Sequence, residues 1–116
     1  MPIHRLTAIY LDSYVHRVFD VLAEPNRRRI LDLLREEPRA VSDLVSELGI
    51  SQPGVSKHLR VLREAGLVAV TVDAQRRVYR VRPEPLQEID AWLAPYRAAW
   101  GGRLDALEHH LDEMPD

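Results

Sequence analysis

With 116 residues, 46% of them apolar and 29% charged, the chain has the length and composition of one domain, and it needs no disulfide or metal staple to hold a modest core. It contains no apolar run of about eighteen residues, which excludes a transmembrane helix, and no cysteine, which excludes disulfides, thiolate metal sites and cysteine nucleophiles. The net charge of −2 hides a division: residues 1–83 hold 14 Lys+Arg against 10 Asp+Glu, and residues 84–116 hold 2 against 8.

Met1–Tyr14 carries His4, Arg5 and Asp12 among scattered apolar residues. It lacks an uninterrupted apolar stretch, so no secretory signal is expected and the cytoplasm is the expected compartment. Val15, Val18, Phe19 and Leu22 recur at helical spacing and predict an amphipathic helix over roughly Ser13–Ala23. Pro25 suits the first turn of a second helix, which turns Ile30, Leu33 and Leu34 inward and ends near Glu37-Pro38. Ser42 is the expected N-cap of a short third helix carrying Leu44, Val45 and Leu48, with Gly49 as its stop. Ser51 is the expected cap of a fourth helix with Val55, Leu59 and Leu62 as its buried stripe and Gly66 at its end.

The period then changes. Val68, Val70 and Val72 alternate with Ala69 and Thr71, and after Asp73-Ala74-Gln75-Arg76 the alternation resumes through Tyr79 and Val81. Two such runs around a polar turn predict a β-hairpin. From Glu84 helical spacing returns with Leu86, Ile89, Leu93, Tyr96 and Trp100, and continues through Leu104, Leu107 and Leu111. Pro95 and Gly101-Gly102 predict a kink or a break in that helix. The expected fold is mainly α with a small β-hairpin, in the order α-α-α-α-β-β-α. One domain fills residues 1–116, with a core at 13–82 and a C-terminal helical region at 84–116.

Val41–Arg82 holds the pattern that carries function: a short helix, a Gly-containing turn, a second helix and a hairpin. That is a winged helix-turn-helix. With Val55, Leu59 and Leu62 buried, the fourth helix leaves Gln52, Ser56, Lys57, Arg60 and Arg63 facing outward. Gln pairs bidentately with adenine, Ser donates or accepts at most bases, and Lys and Arg serve guanine or phosphate. A helix N-terminus also favours a phosphate oxygen. Gln52, Ser56 and Lys57 are therefore assigned to bases, and Ser51, His58, Arg60, Arg76 and Arg77 to the DNA backbone, the last two at the hairpin turn. Ordinary solvated surface charge is the competing reading of each. Arg27-Arg28-Arg29 puts positive charge at a helix start, against the dipole. A phosphate contact and salt bridges to Asp20, Glu24 or Asp32 both stand as explanations.

The run from Val18 to Leu31 (VFDVLAEPNRRRIL) and the run from Ser51 to Val68 (SQPGVSKHLRVLREAGLV) closely resemble the ArsR/SmtB-type transcriptional repressors. The resemblance is close over residues 13–82 and loose in the last helix. It implies a homodimeric winged helix that represses transcription by occupying a palindromic operator of double-stranded DNA, and that dimerises through its first and last helices. The residues agree with that. Leu86, Ile89, Trp92, Leu93, Tyr96 and Trp100 offer more apolar surface than a monomer helix uses, and Ile3, Leu6, Ile9, Tyr10 and Leu11 suit a place beside them. A twofold dimer would read half-sites about one helical turn apart, roughly 34–36 Å.

Relatives that sense metals use third-helix cysteines or paired Asp and His on the last helices. Here the third helix reads Val41-Ser42-Asp43-Leu44-Val45-Ser46-Glu47-Leu48, without a thiol, and Asp90-Ala91-Trp92 has Trp where a His would serve. His109, His110 and Glu113 are the weak metal candidates, and no cofactor is expected. No phosphate loop, nucleophile elbow or zinc-protease motif is present, so no enzyme is expected. Two rival readings remain: a winged-helix protein-interaction module that does not bind DNA, and a metal-dependent sensor using the C-terminal His and Glu. A small-molecule inducer near Trp92 and Tyr96 stays open, and no membrane partner is expected.

Overall fold

The computed structural model describes residues 3–113; side chains are described from Ser13 onward, except those of residues 104 and 105. The order is α1 (Ile3–Leu22), α2 (Pro25–Glu36), β1 (Arg39–Ala40), α3 (Val41–Leu48), α4 (Gln52–Glu64), β2 (Val68–Asp73), β3 (Arg76–Val81) and α5 (Glu84–Glu113). The chain divides into two compact units, residues 1–86 and 87–116.

In the first unit, Val18, Ile30, Leu44, Val55, Leu59, Leu62, Leu67 and Val68 are almost wholly buried. Each side chain contributes about 1.5–3 kcal/mol by leaving water. They come from α1 to α4, the turn after α4 and β2, so the helix-turn-helix is held by one shared core. Every buried side-chain polar atom among the described residues has a partner. The inward face of α2 is Ile30, Leu31 and Leu34, with Leu33 only half-buried. The expectation had Leu33 in place of Leu31.

Helix ends follow local chemistry. Glu24 caps α2 through a bond from Arg27 N to its Oε2 at 3.1 Å. Ser51 caps α4 as expected, its Oγ accepting from Gly54 N at 3.2 Å. The expected cap of α3 is corrected. That helix begins at Val41, so Ser42 lies inside it, and Ala40 stands at the cap position with no acceptor of its own. Asp43 Oδ2 instead accepts from Ala40 N at 3.2 Å, the return half of a capping box. Gly49 closes α3 at φ 70°, in the left-handed region, donating to Val45 O at 3.0 Å. Gly49→Ala meets no steric neighbour but must hold this backbone with a Cβ. It is expected to lower stability by about 1 kcal/mol, read by urea denaturation.

The hairpin is part of a three-stranded antiparallel sheet in the order β1-β3-β2. Strand β1 is two residues long and pairs Arg39 with Tyr79 and Ala40 with Val78. The tip is tighter than expected. Asp73 pairs with Arg76 and only Ala74 and Gln75 form the loop, Ala74 at φ 57°. Arg76 is therefore a strand residue rather than a turn residue.

Two further boundaries differ from the sequence reading. Helix α1 starts ten residues before Ser13. Helix α5 is one helix across Pro95 and Gly101-Gly102, not two. Arg97, two residues past Pro95, bonds back through its guanidinium to the Asp90 carboxylate and to Asp90 O at 3.3 Å, bridging the turn where proline removes a backbone donor.

Candidate nucleic-acid interface

At about 100° per residue, burying Val55, Leu59 and Leu62 turns Lys57 and Arg60 onto the opposite side of α4, with Gln52, Ser56 and Arg63 on its flank. All five are exposed. Ser51 is also exposed at the open helix start. Its Oγ is engaged as a cap acceptor, which leaves its hydroxyl hydrogen for an outside acceptor. Gly54 keeps this cap open: a Cβ there would stand 3.2 Å from Ser51 Oγ.

Arg76 and Arg77 are exposed on β3, and strand alternation sends them to opposite faces of the ribbon. Arg76 lies 3.6 Å from the Asp43 carboxylate, joining the wing to α3. No ion pair among the described residues takes Arg77. Arg80 is drawn along the sheet by its bond to Thr71 Oγ1 at 2.8 Å.

His58 is placed differently from the other expected contacts. Its side chain is only 16% exposed, and its ring faces the start of α2. Nδ1 accepts from Arg27 Nε at 3.3 Å and Nε2 lies 3.8 Å from Glu24 Oε2.

The arginine triplet also finds its explanation. Arg27 Nη1 donates to Val21 O at 3.3 Å, Arg28 Nη1 to Leu22 O at 2.8 Å and Ala23 O at 3.1 Å, and Arg29 Nη2 to Leu48 O at 3.5 Å. These carbonyls belong to the C-terminal ends of α1 and α3, where cations are favoured. None of the three guanidinium groups forms a salt bridge with Asp20, Glu24 or Asp32. The Val21, Leu22 and Ala23 carbonyls lie only five or six residues away, across the turn between α1 and α2, while Leu48 becomes a neighbour of Arg29 only after α2 and α3 pack.

In the second unit, Trp92, Tyr96 and Trp100 are 47%, 59% and 68% exposed. The Trp92 and Tyr96 rings lie 5.1 Å apart, tilted by 45°. With Leu93, Ala99 and Arg103 these three line an open groove of about 460 Å³. Leu93 is exposed, and Leu86 is at the border of exposure. Ile89 is buried. The expected partners Ile3, Leu6, Ile9, Tyr10 and Leu11 have side chains outside the described residues.

His109 Nε2 and Glu113 Oε1 are 2.9 Å apart on the exposed end of α5. Among the described residues no three His, Asp or Glu side chains gather closely enough to hold a metal ion. No helix of the described residues is long and apolar enough to cross a membrane.

Residues 24–70 match the profile of the bacterial regulatory proteins of the arsR family. A curated HTH-type transcriptional regulator of Mycobacterium tuberculosis is 41% identical over 100 residues, which cover 86% of this chain and 91% of that protein. The chain belongs to the arsR family. The transcriptional repressor SdpR of Bacillus subtilis is 30% identical over 68% of this chain and 88% of its own length. Among solved structures, an ArsR-like transcriptional regulator from Rhodococcus sp. RHA1 aligns with a TM-score of 0.67 at 27% identity, over 88% of this chain and 96% of that one. The homodimeric winged helix-turn-helix DNA-binding domain of an ArsR-type protein from Mycobacterium bovis aligns with a TM-score of 0.63 at 32% identity, over 78% and 83%. As an arsR-family member the chain is a transcriptional regulator and not an enzyme.

Proposed function

We propose that the protein is a homodimeric repressor that occupies a palindromic operator and excludes polymerase. The observation that carries this reading is the exposed arc of α4. Its cationic Lys57 and Arg60 lie opposite a fully buried stripe and its Gln52 amide and Ser56 hydroxyl on one flank, beside a wing with one arginine on each face. Gln52, Ser56 and Lys57 read base edges in the major groove. Ser51, Arg60, Arg76 and Arg77 fix the register on phosphates. Residues 13–82 serve as the DNA-binding core. Residues 84–116 serve as the dimerisation segment, with Leu86, Trp92, Leu93, Tyr96 and Trp100 at the subunit interface, while Ile89, expected among them, is already buried in the single chain. The homodimeric Mycobacterium bovis neighbour supports that assembly, and a DNA partner supports a cytoplasmic location.

The test begins with a randomised duplex pool, from which the protein enriches its preferred sequence. Anisotropy then compares that duplex with a scrambled one. Gln52→Ala is expected to cut the preference by about 1–3 kcal/mol, about fivefold to more than a hundredfold. Arg77→Ala is expected to weaken both duplexes alike and to reduce the salt slope by about 2 for a dimer. Wild-type affinity in both variants contradicts this docking.

A further inference from the structure

We infer that His58 is a positioning residue for DNA recognition, acting through Arg27 rather than by touching DNA. It lies on the flank of the α4 stripe away from Gln52 and Ser56, next to Lys57, with its side chain only 16% exposed. Its Nδ1 accepts from Arg27 Nε at 3.3 Å. An imidazole that accepts at Nδ1 and is neutral carries its proton on Nε2, the nitrogen 3.8 Å from Glu24 Oε2.

Arg27 is itself fixed at two other points. Its backbone N–H is capped by Glu24 at 3.1 Å, and its Nη1 donates to Val21 O at 3.3 Å. The guanidinium is thus anchored to the start of α2 and the end of α1, and its remaining Nε–H meets the recognition helix. A hydrophobic stripe alone fixes how deep α4 sits but resists rotation about its axis weakly, because apolar contacts are non-directional. A directional bond on the flank of the stripe fixes that rotation. Ser56 and Lys57 immediately precede His58, so any turn of the helix displaces them at the base edges. A bidentate base contact tolerates little displacement.

Three variants separate this role from a direct phosphate contact. His58→Leu removes the acceptor. His58→Asn restores an acceptor near the Nδ1 position. Arg27→Gln removes the donor. The readouts are the affinity ratio between the pool-enriched and scrambled duplexes, the salt slope, and thermal unfolding of each variant. His58→Leu is expected to lower the ratio about tenfold, the size of one hydrogen bond to a charged group, with the salt slope unchanged. His58→Asn is expected to stay within about threefold of wild type. The double variant Arg27→Gln/His58→Leu is expected to lose no more than the worse single variant.

Equal weakening of both duplexes with a shallower salt slope would overturn the inference in favour of a phosphate contact. So would an unchanged ratio in His58→Leu, or a His58→Asn as poor as His58→Leu. Long-range ¹H–¹⁵N correlation on the wild-type protein tests the bond to Arg27 itself without DNA or mutation. A neutral ring with its proton on Nε2 supports the tether, and a proton on Nδ1 overturns it. Should the pool yield no preferred sequence, the base-reading assignments fail and the positioning role of His58 fails with them, while the ring nitrogens still report whether the bond to Arg27 exists.

Discussion

Replacing Leu59 by Ala is expected to lower the unfolding free energy by about 2–5 kcal/mol. Leu59 is 1% exposed at the centre of the α4 stripe, with Ile30, Leu44, Val55 and Leu62 also buried in that core. The substitution removes apolar area and leaves a cavity that the surrounding helices close only in part. A domain of this size has a total stability of only about 5–15 kcal/mol, so the loss is a large share of it. Lys57, two residues earlier, is exposed, and Lys57→Ala should change stability by no more than about 0.5 kcal/mol. Urea denaturation followed by far-UV circular dichroism measures both. The pair distinguishes the two sides of one helix: the inner side costs stability, and the outer side costs DNA affinity without it. Equal small effects at both positions would mean that α4 is not packed as described.

Trp100→Ala is expected to weaken the dimer about 30-fold or more. Trp100 is 68% exposed and shares its groove with Trp92 and Tyr96. Buried aromatic anchors at interface centres contribute about 2 kcal/mol or more on truncation, and 2 kcal/mol is about a 30-fold change in dissociation constant. The side chain is exposed in the single chain, so the variant should keep its helical content. Sedimentation across a concentration series measures the dissociation constant. Operator affinity should fall with it, because one winged helix then loses the second half-site. A Trp100→Ala protein that remains as tightly dimeric as wild type would remove this face from the proposed interface.

The parts of the fold that were legible in the sequence were those set by local chemistry. The stripe of Val55, Leu59 and Leu62, the cap at Ser51 and the stop at Gly49 need only neighbours along the chain. The parts that escaped depend on contacts between distant segments. Strand β1 is two residues long and exists because β3 lies beside Arg39 and Ala40, so no alternating pattern marks it. Ser42 looked like a cap because hydroxyls favour that place. Asp43 instead satisfies Ala40 N from inside the helix, and its 3.6 Å approach to Arg76 ties the wing to α3.

The candidate site divides in the same way. The outward residues of α4 follow from its periodicity alone. The partners of Arg27, Arg28 and Arg29 do not, because they depend on how α2 folds back on the end of α1, five or six residues away, and on the end of α3, 19 residues away. His58 illustrates the difference most directly. Its position in the motif suggested DNA, while its ring bonds to Arg27, 31 residues away.

The central claim, that α4 and the wing bind DNA with sequence preference, is tested most directly by one salt titration. Wild-type protein is measured by anisotropy against the pool-enriched duplex and a scrambled duplex of equal length. Arg60, Arg76 and Arg77 from each protomer place about six cations on phosphates, which predicts a slope of about −5 in log affinity against log salt for the dimer. The account predicts that slope on both duplexes, and a preference for the enriched duplex that survives at physiological salt. Binding that ignores salt, or no binding to either duplex at low salt, would contradict it.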